Sequence, residues 1–320
     1  MAHEPEKILF LFTKYNELLH LTKSHLKKFV LIALFFSHFV SLAQNTQKNT
    51  GTKKPKATQT AAQSKLISNN HTQNLVSTLS HDTCLSRKFS IVFYVILDTA
   101  GLPGQATPSA INQFMDTLND RFKRICVKFE NCSTVYIHNS SYGEWNRITT
   151  DTIVTSQWHT DKTINIYLVD SILQNFSYEA QGYTYPPPTS PTVTPKDVIV
   201  LEKWQLLVNN CVISFHHIGH FFGLLHTHDE INPALVATPP PPPGVASKEY
   251  VDRSNCLIHG DGLCDTEADP LGGAAKDGKG DFYLKPVDNY MSFSSNSCRF
   301  TQQQFNRMAY IMITARRYLH

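Results

Sequence analysis

Residues 215–226 read FHHIGHFFGLLH, from Phe215 to His226. On a helix His216 and His220 stand four residues apart, so both imidazoles leave one face at a spacing that can share a tetrahedral ion. Gly223 can adopt a left-handed conformation, which ends the helix and turns the chain back. His226, three residues later, then brings a third nitrogen to the same ion. Three neutral imidazoles with one position left open is the ligand set of a catalytic rather than a structural zinc site. The chain holds 15 His, but chance should match four fixed positions in only on the order of one chain in a thousand. His228 is a competing third ligand, disfavoured by the spacing from Gly223. His138, His159, His259 and His320 read as loop or solvent-facing residues.

The sequence on either side of this stretch alternates between strand and helix signals. KFSIVFYVILD (Lys88–Asp98) is a β-branched and aromatic run, followed by the turn Gly101–Gly104 and a helical pattern over Pro108–Ile125. Further strands are expected at Thr134–His138, Thr163–Asp170 and Asp197–Leu201. The histidines lie on an apolar helix over about Trp204–Gly223, and an amphipathic helix over Thr301–Tyr318 opens with a Thr cap and a Gln run. Interspersed strands and helices predict an α+β fold. Two proline-rich stretches, Tyr185–Pro195 and Pro239–Pro243, read as extended surface insertions.

Composition bounds the class of the chain, and its N-terminal pattern predicts export. With 320 residues, 41% hydrophobic and 17% charged, it is neither collagen nor coiled coil nor wholly disordered. A net charge of +3 argues against nucleic acid as the partner, which would need a concentrated basic patch. Lys27 and Lys28, the apolar run Phe29–Val40 and the small residues Ser41 and Ala43 ahead of a cleavage point after Ala43 read as a signal peptide, residues 1–43, with an extended n-region. An uncleaved anchor is the alternative, because 26 residues precede Lys27, but the run is short for a span of about 20 residues. Residues 44–83 carry five Lys and one acid among Asn, Gln, Ser and Thr. They read as a low-complexity linker or pro-segment that cannot bury enough apolar area to order itself. The domain is then 84–320, secreted to the periplasm or the extracellular space, with no stable membrane span after cleavage.

With those residues in view, His216–His226 resembles the H-E-x-x-H-x-x-G-x-x-H signature of metzincin zinc metallopeptidases. Within that clan GHFFGLLHTH (Gly219–His228), CDTEADP (Cys264–Pro270) and DNYMS (Asp288–Ser292) resemble the pappalysin (M43-type) family. Its members typically read CDTPADP and DNYMSY, then a cysteine and a helix of the form FTxxQxxRM. Here Cys298, Phe300, Thr301, Gln304, Arg307 and Met308 follow in that order, and the likeness covers about residues 88–319. The resemblance implies a two-lobed fold: a twisted mixed sheet backed by helices above, loops and the C-terminal helix below. An extended peptide or protein, as substrate or ligand, would lie in the cleft beside the sheet's edge strand, here expected at Asp197–Leu201. It also implies zinc on His216, His220 and His226, with Met291 packing beneath the metal as the Met-turn.

The chain departs from the family pattern at two positions. The residue after the first ligand is His217 where the pattern has the general-base Glu, and Phe293 stands where the pattern has a Tyr whose hydroxyl can stabilise an oxyanion. His217 is a doubtful base, since a nearby divalent cation disfavours its protonation; it could instead enter the open coordination position. The expected function is therefore a zinc metalloendopeptidase-family protein with impaired or lost activity. The alternative is a pseudoenzyme, a non-catalytic, zinc-stabilised peptide- or protein-binding domain. Cysteine spacing in an exported chain supports disulfides. Cys126 and Cys132 flank an expected short turn, the resemblance favours Cys264 with Cys298, and Cys211 with Cys256 is the remaining pairing, with Cys84 free. Asp261, Asp265, Glu267 and Asp269 supply enough oxygen to make calcium a second candidate ion.

Overall fold

In chain order the elements are β1 (Arg87–Ile96), α1 (Pro108–Phe122), β2 (Val127–Ile137), β3 (Glu144–Asn146), α2 (Thr150–Gln157), β4 (Ile164–Val169), β5 (Ser171–Gln174), β6 (Tyr178–Glu179), β7 (Gly182–Thr184), β8 (Val198–Glu202), α3 (Val212–Phe221) and α4 (Gln302–Ile313). The computed structural model describes residues 84–174, 178–179, 181–206, 212–229, 231, 249–270, 276–294 and 296–320, all within the unit Ser64–His320. The expected signal peptide, the linker 44–83, Pro239–Pro243 and Cys211 lie outside the described residues. Among those described, no helix is long and apolar enough to cross a membrane.

Side-chain parity along the strands builds two cores, one on each face of the sheet. Phe89, Ile91, Phe93 and Val95 of β1 enter one, and Val92, Tyr94 and Ile96 the other. β4 divides in the same way, with Ile166 and Leu168 against Tyr167 and Val169, and so does β8, with Ile199 and Leu201 against Val198 and Val200. Strands buried on both faces belong in a parallel sheet. The order is β2-β1-β4-β8-β7, with β2, β1, β4 and β8 parallel and β7 antiparallel to β8. The first core is closed by α1, whose Ala110, Ile111, Phe114, Leu118 and Phe122 recur at helical spacing, by Phe215, Ile218 and Phe221 of α3, and by Phe305, Met308 and Met312 of α4. The second core is capped by Trp145, Val154 and Ile172 around a smaller sheet, β3-β5-β6.

The strand at Asp197–Leu201 exists as β8 but is internal; the edge is β7, three residues that precede the proline-rich loop. The expected helix over Trp204–Gly223 opens instead on a 3-10 turn, Lys203–Leu206; the histidine helix covers Val212–Phe221, and residues 207–211 lie outside the described residues. The final helix has the expected capping box, Thr301 with Gln304, but stops at Ile313. Beyond it Arg316 turns into the protein. Its guanidinium donates to the Phe221 carbonyl at 2.8 Å, to the Tyr185 carbonyl at 3.2 Å and to Asp197, and lies over the Phe221 ring. Both Arg316 and Asp197 are buried.

The disulfides differ from all three expected pairings. Cys84 bonds Cys126 and Cys256 bonds Cys264, with Cα separations of 4.9 and 5.1 Å. No turn separates Cys126 from Cys132: Cys126 closes a 3-10 turn in a left-handed conformation, and β2 then runs on through Cys132. Six extended residues span about 20 Å, too far for a bridge. Cys132 is the extra residue of a bulge, skipped where Ile91 pairs Asn131 and Val92 pairs Ser133. Cys132 and Cys298 are free and exposed. With Cys264 taken by Cys256, neither the Cys264–Cys298 nor the Cys211–Cys256 pairing stands.

The four acids read as a candidate calcium site do not form a ligand group among the described residues. They turn instead to protein donors. Asp265 accepts from the Thr301 hydroxyl at 2.7 Å and the Gln303 amide at 2.8 Å, at the N-terminus of α4, where its charge is favoured. Glu267 meets Arg299 at 3.4 Å, and Asp269 accepts from Thr227 and Ser292. Asp261 accepts from the Leu263 amide and the Thr266 hydroxyl, both at 2.9 Å, and burial pushes its carboxyl up to about 7.

Two stability measurements follow from these buried charges. Arg316→Met strands the Asp197 carboxylate, and denaturant unfolding of the full chain should show a loss of about 3–5 kcal/mol. Lys88→Ala, which breaks an exposed pair with Glu130, should leave the midpoint unchanged. For Asp261 the folded pKa lies above the unfolded one, so its contribution is present at low pH and lost as pH rises through about 7. Asp261→Asn should gain stability relative to the parent between pH 5 and pH 8, by up to about 3 kcal/mol. A pH-independent difference would refute the assignment.

Candidate metal centre

α3 presents Phe215 and Ile218 to the core and carries His216 and His220 on its other side. Gly223, at φ +83°, ends the helix; its amide bonds the His220 carbonyl, and the Leu224 amide bonds the Gly219 carbonyl. The reversal brings His226 back to the first two histidines. The three Nε2 atoms converge, with His220 Nε2 at 3.0 Å from both His216 Nε2 and His226 Nε2.

The opposite ring nitrogens explain this orientation. His216 Nδ1 lies 2.7 Å from the Tyr290 carbonyl, His220 Nδ1 2.8 Å from the Leu224 carbonyl, and His226 Nδ1 3.0 Å from an Asp229 carboxylate oxygen. A carbonyl or carboxylate oxygen only accepts, so each Nδ1 carries the proton and each Nε2 keeps its lone pair. Three lone pairs facing one another repel unless a cation lies between them. Two imidazoles on one tetrahedral zinc place their nitrogens about 3.3 Å apart, close to the spacing here. The donor set therefore fits zinc. Burial, reinforced by the neighbouring imidazoles, lowers His216 to about 3 and His220 to about 4, which keeps protons off these nitrogens near neutral pH.

Met291 is fully buried, and its sulfur presses on α3 where Gly219 leaves room; a Cβ there would sit 2.5 Å from Sδ. The same turn supplies the Tyr290 carbonyl to His216, and its Met291 carbonyl accepts the Thr227 amide at 3.1 Å. Met291 is thus packed against α3 at Gly219.

His217 does not join the cluster. Its ring centroid is 5.2 Å from that of His216 and 6.2 Å from that of His220, and its imidazole lies against the edge strand. A Cβ on Gly182 would come within 2.5 Å of His217 Cδ2 and 2.7 Å of Nε2, so that glycine makes the room. Burial holds His217 well below the usual histidine range. Phe293 is half exposed, with its ring 4.8 Å from that of His226 and 4.5 Å from that of His228. His228 stacks on His226 at 4.8 Å and forms a second potential ligand group with His226 and Asp229.

Sequence reasoning passed over Asp229, Gly182 and the two orienting carbonyls. Asp229 had a signal, three residues after His226; a backbone carbonyl has none. A cavity of about 570 Å³ opens beside the cluster, lined in part by His216, His217, His226, Trp204, Tyr290 and Phe293.

Asp229→Ala leaves all three Nε2 donors but frees the His226 ring to rotate. Competition with a calibrated chelator should show zinc binding weakened about 10- to 100-fold, whereas His226→Ala removes tight binding altogether.

The Peptidase_M43 family model, described as Pregnancy-associated plasma protein-A, matches residues 147–313, just over half of the chain. No curated protein matches. Among solved structures, Tannerella forsythia mature mirolysin in complex with a cleaved peptide is 13% identical at a TM-score of 0.49, covering 72% of this chain and 94% of that one. A promirolysin mutant from the same organism is 14% identical at 0.49, covering 82% and 93%. Archaemetzincin from Archaeoglobus fulgidus, complexed with malonate, is 13% identical at 0.30, covering 44% and 82%. The family match spans the histidine cluster, the Met291 turn and all of α4. The chain belongs to the M43 family of metallopeptidases.

Proposed function

We propose that this chain is an exported, zinc-holding M43 protein whose cleft takes extended peptides and whose peptide-bond hydrolysis is strongly weakened. The observation that carries this reading is one contrast: three Nε2 atoms remain converged, while the position next to the first of them holds His217, packed on Gly182. Family membership implies a metal, for which zinc is the usual ion, and His216, His220 and His226 would hold it. A divalent cation there would supply Lewis-acid polarisation.

The chain's own residues would do the rest. The edge of β7 would align an extended peptide by backbone hydrogen bonds. A Glu after the first ligand would take a proton and return it to the leaving amine; His217, its Nε2 turned to Gly182, is poorly placed for both transfers. Phe293 offers a ring and no hydroxyl, so it cannot donate to an oxyanion. Two disulfides support an oxidising compartment, in agreement with the export signal.

The test is chelator-sensitive hydrolysis of a quenched peptide library by the zinc-loaded full chain, beside His217→Glu, with zinc content measured in both. General-base catalysis is worth about 10²- to 10⁴-fold, and the variant should exceed the parent by that factor. Equal rates would show that His217 works as a base. Zinc retained with no cleavage by either would remove the peptidase reading of the cleft.

A further inference from the structure

Among the described residues no strand pairs with the outer side of β7. Its register fixes what a guest strand would meet there. The Gln181 carbonyl accepts the Glu202 amide of β8 at 3.3 Å, and the backbone of an antiparallel strand alternates, so Tyr183 also turns to β8 while Gly182 and Thr184 turn their N–H and C=O groups outward. Side chains alternate as well. Gly182 faces α3, where a Cβ would meet His217, whereas Tyr183 enters the second core on the opposite face of the sheet. A guest residue opposite Tyr183 would share the face of Tyr183, and its two neighbours would face α3.

Arg147 stands on the Tyr183 face. It follows β3 in a turn closed by the Asn146 side chain, which accepts the Ile148 and Thr149 amides at 2.9 and 3.0 Å. Its guanidinium carbon lies 4.8 Å from the centre of the Tyr183 ring and 5.7 Å from that of Tyr185. The side chain is half-buried and makes no hydrogen bond or ion pair among the described residues. Asp151, the acid bound to the same two tyrosines, is already occupied: it accepts their hydroxyls at 2.9 and 2.8 Å and pairs with Lys196 at 3.1 Å. Tyrosine faces attract the charge of Arg147 but offer no oxygen to its five N–H donors. A guanidinium steadied in this way is suited to a carboxylate, which it binds through two parallel N–H···O bonds.

We infer that Arg147 is a specificity-determining residue, which takes the acidic side chain, aspartate or glutamate, of the peptide residue lying opposite Tyr183 on the outer side of β7. That carboxylate would lie across the sheet from α3, so Arg147 and a cation held by the histidines would engage different residues of one guest. The inference rests on the proposal that the cleft takes peptides along β7, but it does not require turnover.

The experiment reads binding. Fluorescent peptides on one common backbone, with Glu, Gln, Leu or Lys at each position in turn, are titrated by polarisation against the zinc-loaded full chain and against Arg147→Gln and Arg147→Glu. At one position the parent should bind the Glu peptide about five- to tenfold more tightly than the Gln peptide. Arg147→Gln should abolish that ratio with zinc content unchanged, and Arg147→Glu should turn the preference at the same position toward Lys. A parent that binds peptides with no preference for Glu at any position overturns this inference and leaves the peptide-cleft reading intact. A residue that only shaped the edge would alter the Glu and Gln peptides alike, so a ratio that survives in Arg147→Gln assigns the carboxylate to another cation and also overturns it. If zinc is bound and no peptide binds the parent, the peptide-cleft reading fails, and this one with it. Should Arg147→Gln fail to fold, Arg147→Lys decides the point: it keeps the charge and gives up the planar pair of donors, so the ratio should fall part of the way, and an unchanged ratio overturns the assignment.

Discussion

The guanidinium of Arg316 joins four parts of the chain that share no local sequence. It caps the last carbonyl of α3 at Phe221, where a cation complements the helix dipole, and it holds the Tyr185 carbonyl beyond β7. It also neutralises Asp197 at the entrance to β8. Tyr318 donates to the same carboxylate at 2.7 Å, so the C-terminal segment is part of the joint. The helix that carries two of the histidines is thereby fixed against the strand that flanks the cleft.

A second joint sets the imidazoles themselves. The segment 289–292 touches α3 twice, by the Tyr290 carbonyl on His216 Nδ1 and by the Met291 sulfur on Gly219, and it reaches the chain beyond His226 through Thr227. Asn289 braces the turn from within, its side chain accepting the Met291 amide and exchanging hydrogen bonds with Gln304 of α4. Ligand orientation is thus referred back to the capping box of the last helix. A metal cluster built on one short helix and one loop acquires rigidity from an element 80 residues downstream.

The sequence revealed most where a physical pattern is local. The strands β1, β4 and β8 are dense apolar runs, the Thr301 cap and Gln304 form a recognisable pair, and the spacing of His216, His220, Gly223 and His226 encodes the helix, its end and the return of the chain. What it hid is non-local. β7 is Gly-Tyr-Thr, too short for periodicity and set against prolines, so the edge was assigned to its stronger neighbour β8. Cysteine spacing says nothing about a bulge that carries Cys132 through a strand, and so the bridges were misjudged. Arg316 falls inside the expected helix Thr301–Tyr318, and only the tertiary fold shows it beyond the helix end and buried. The position of His217 depends on Gly182, which no local pattern marks as its neighbour.

The sheet has two borders, and they are finished differently. At β2 the bulge at Cys132 bends the border strand, and the charged side chains of Lys128 and Glu130 stand along it. A foreign strand finds an irregular and solvated margin there. At β7 the border is three residues long and lies beside the cleft. Two molecules of this protein meeting border to border have little straight backbone to share, while a single extended chain entering the cleft meets a short, regular one. Neither border offers a second copy of the chain a long, straight edge, and the shorter of the two is the one beside the cavity.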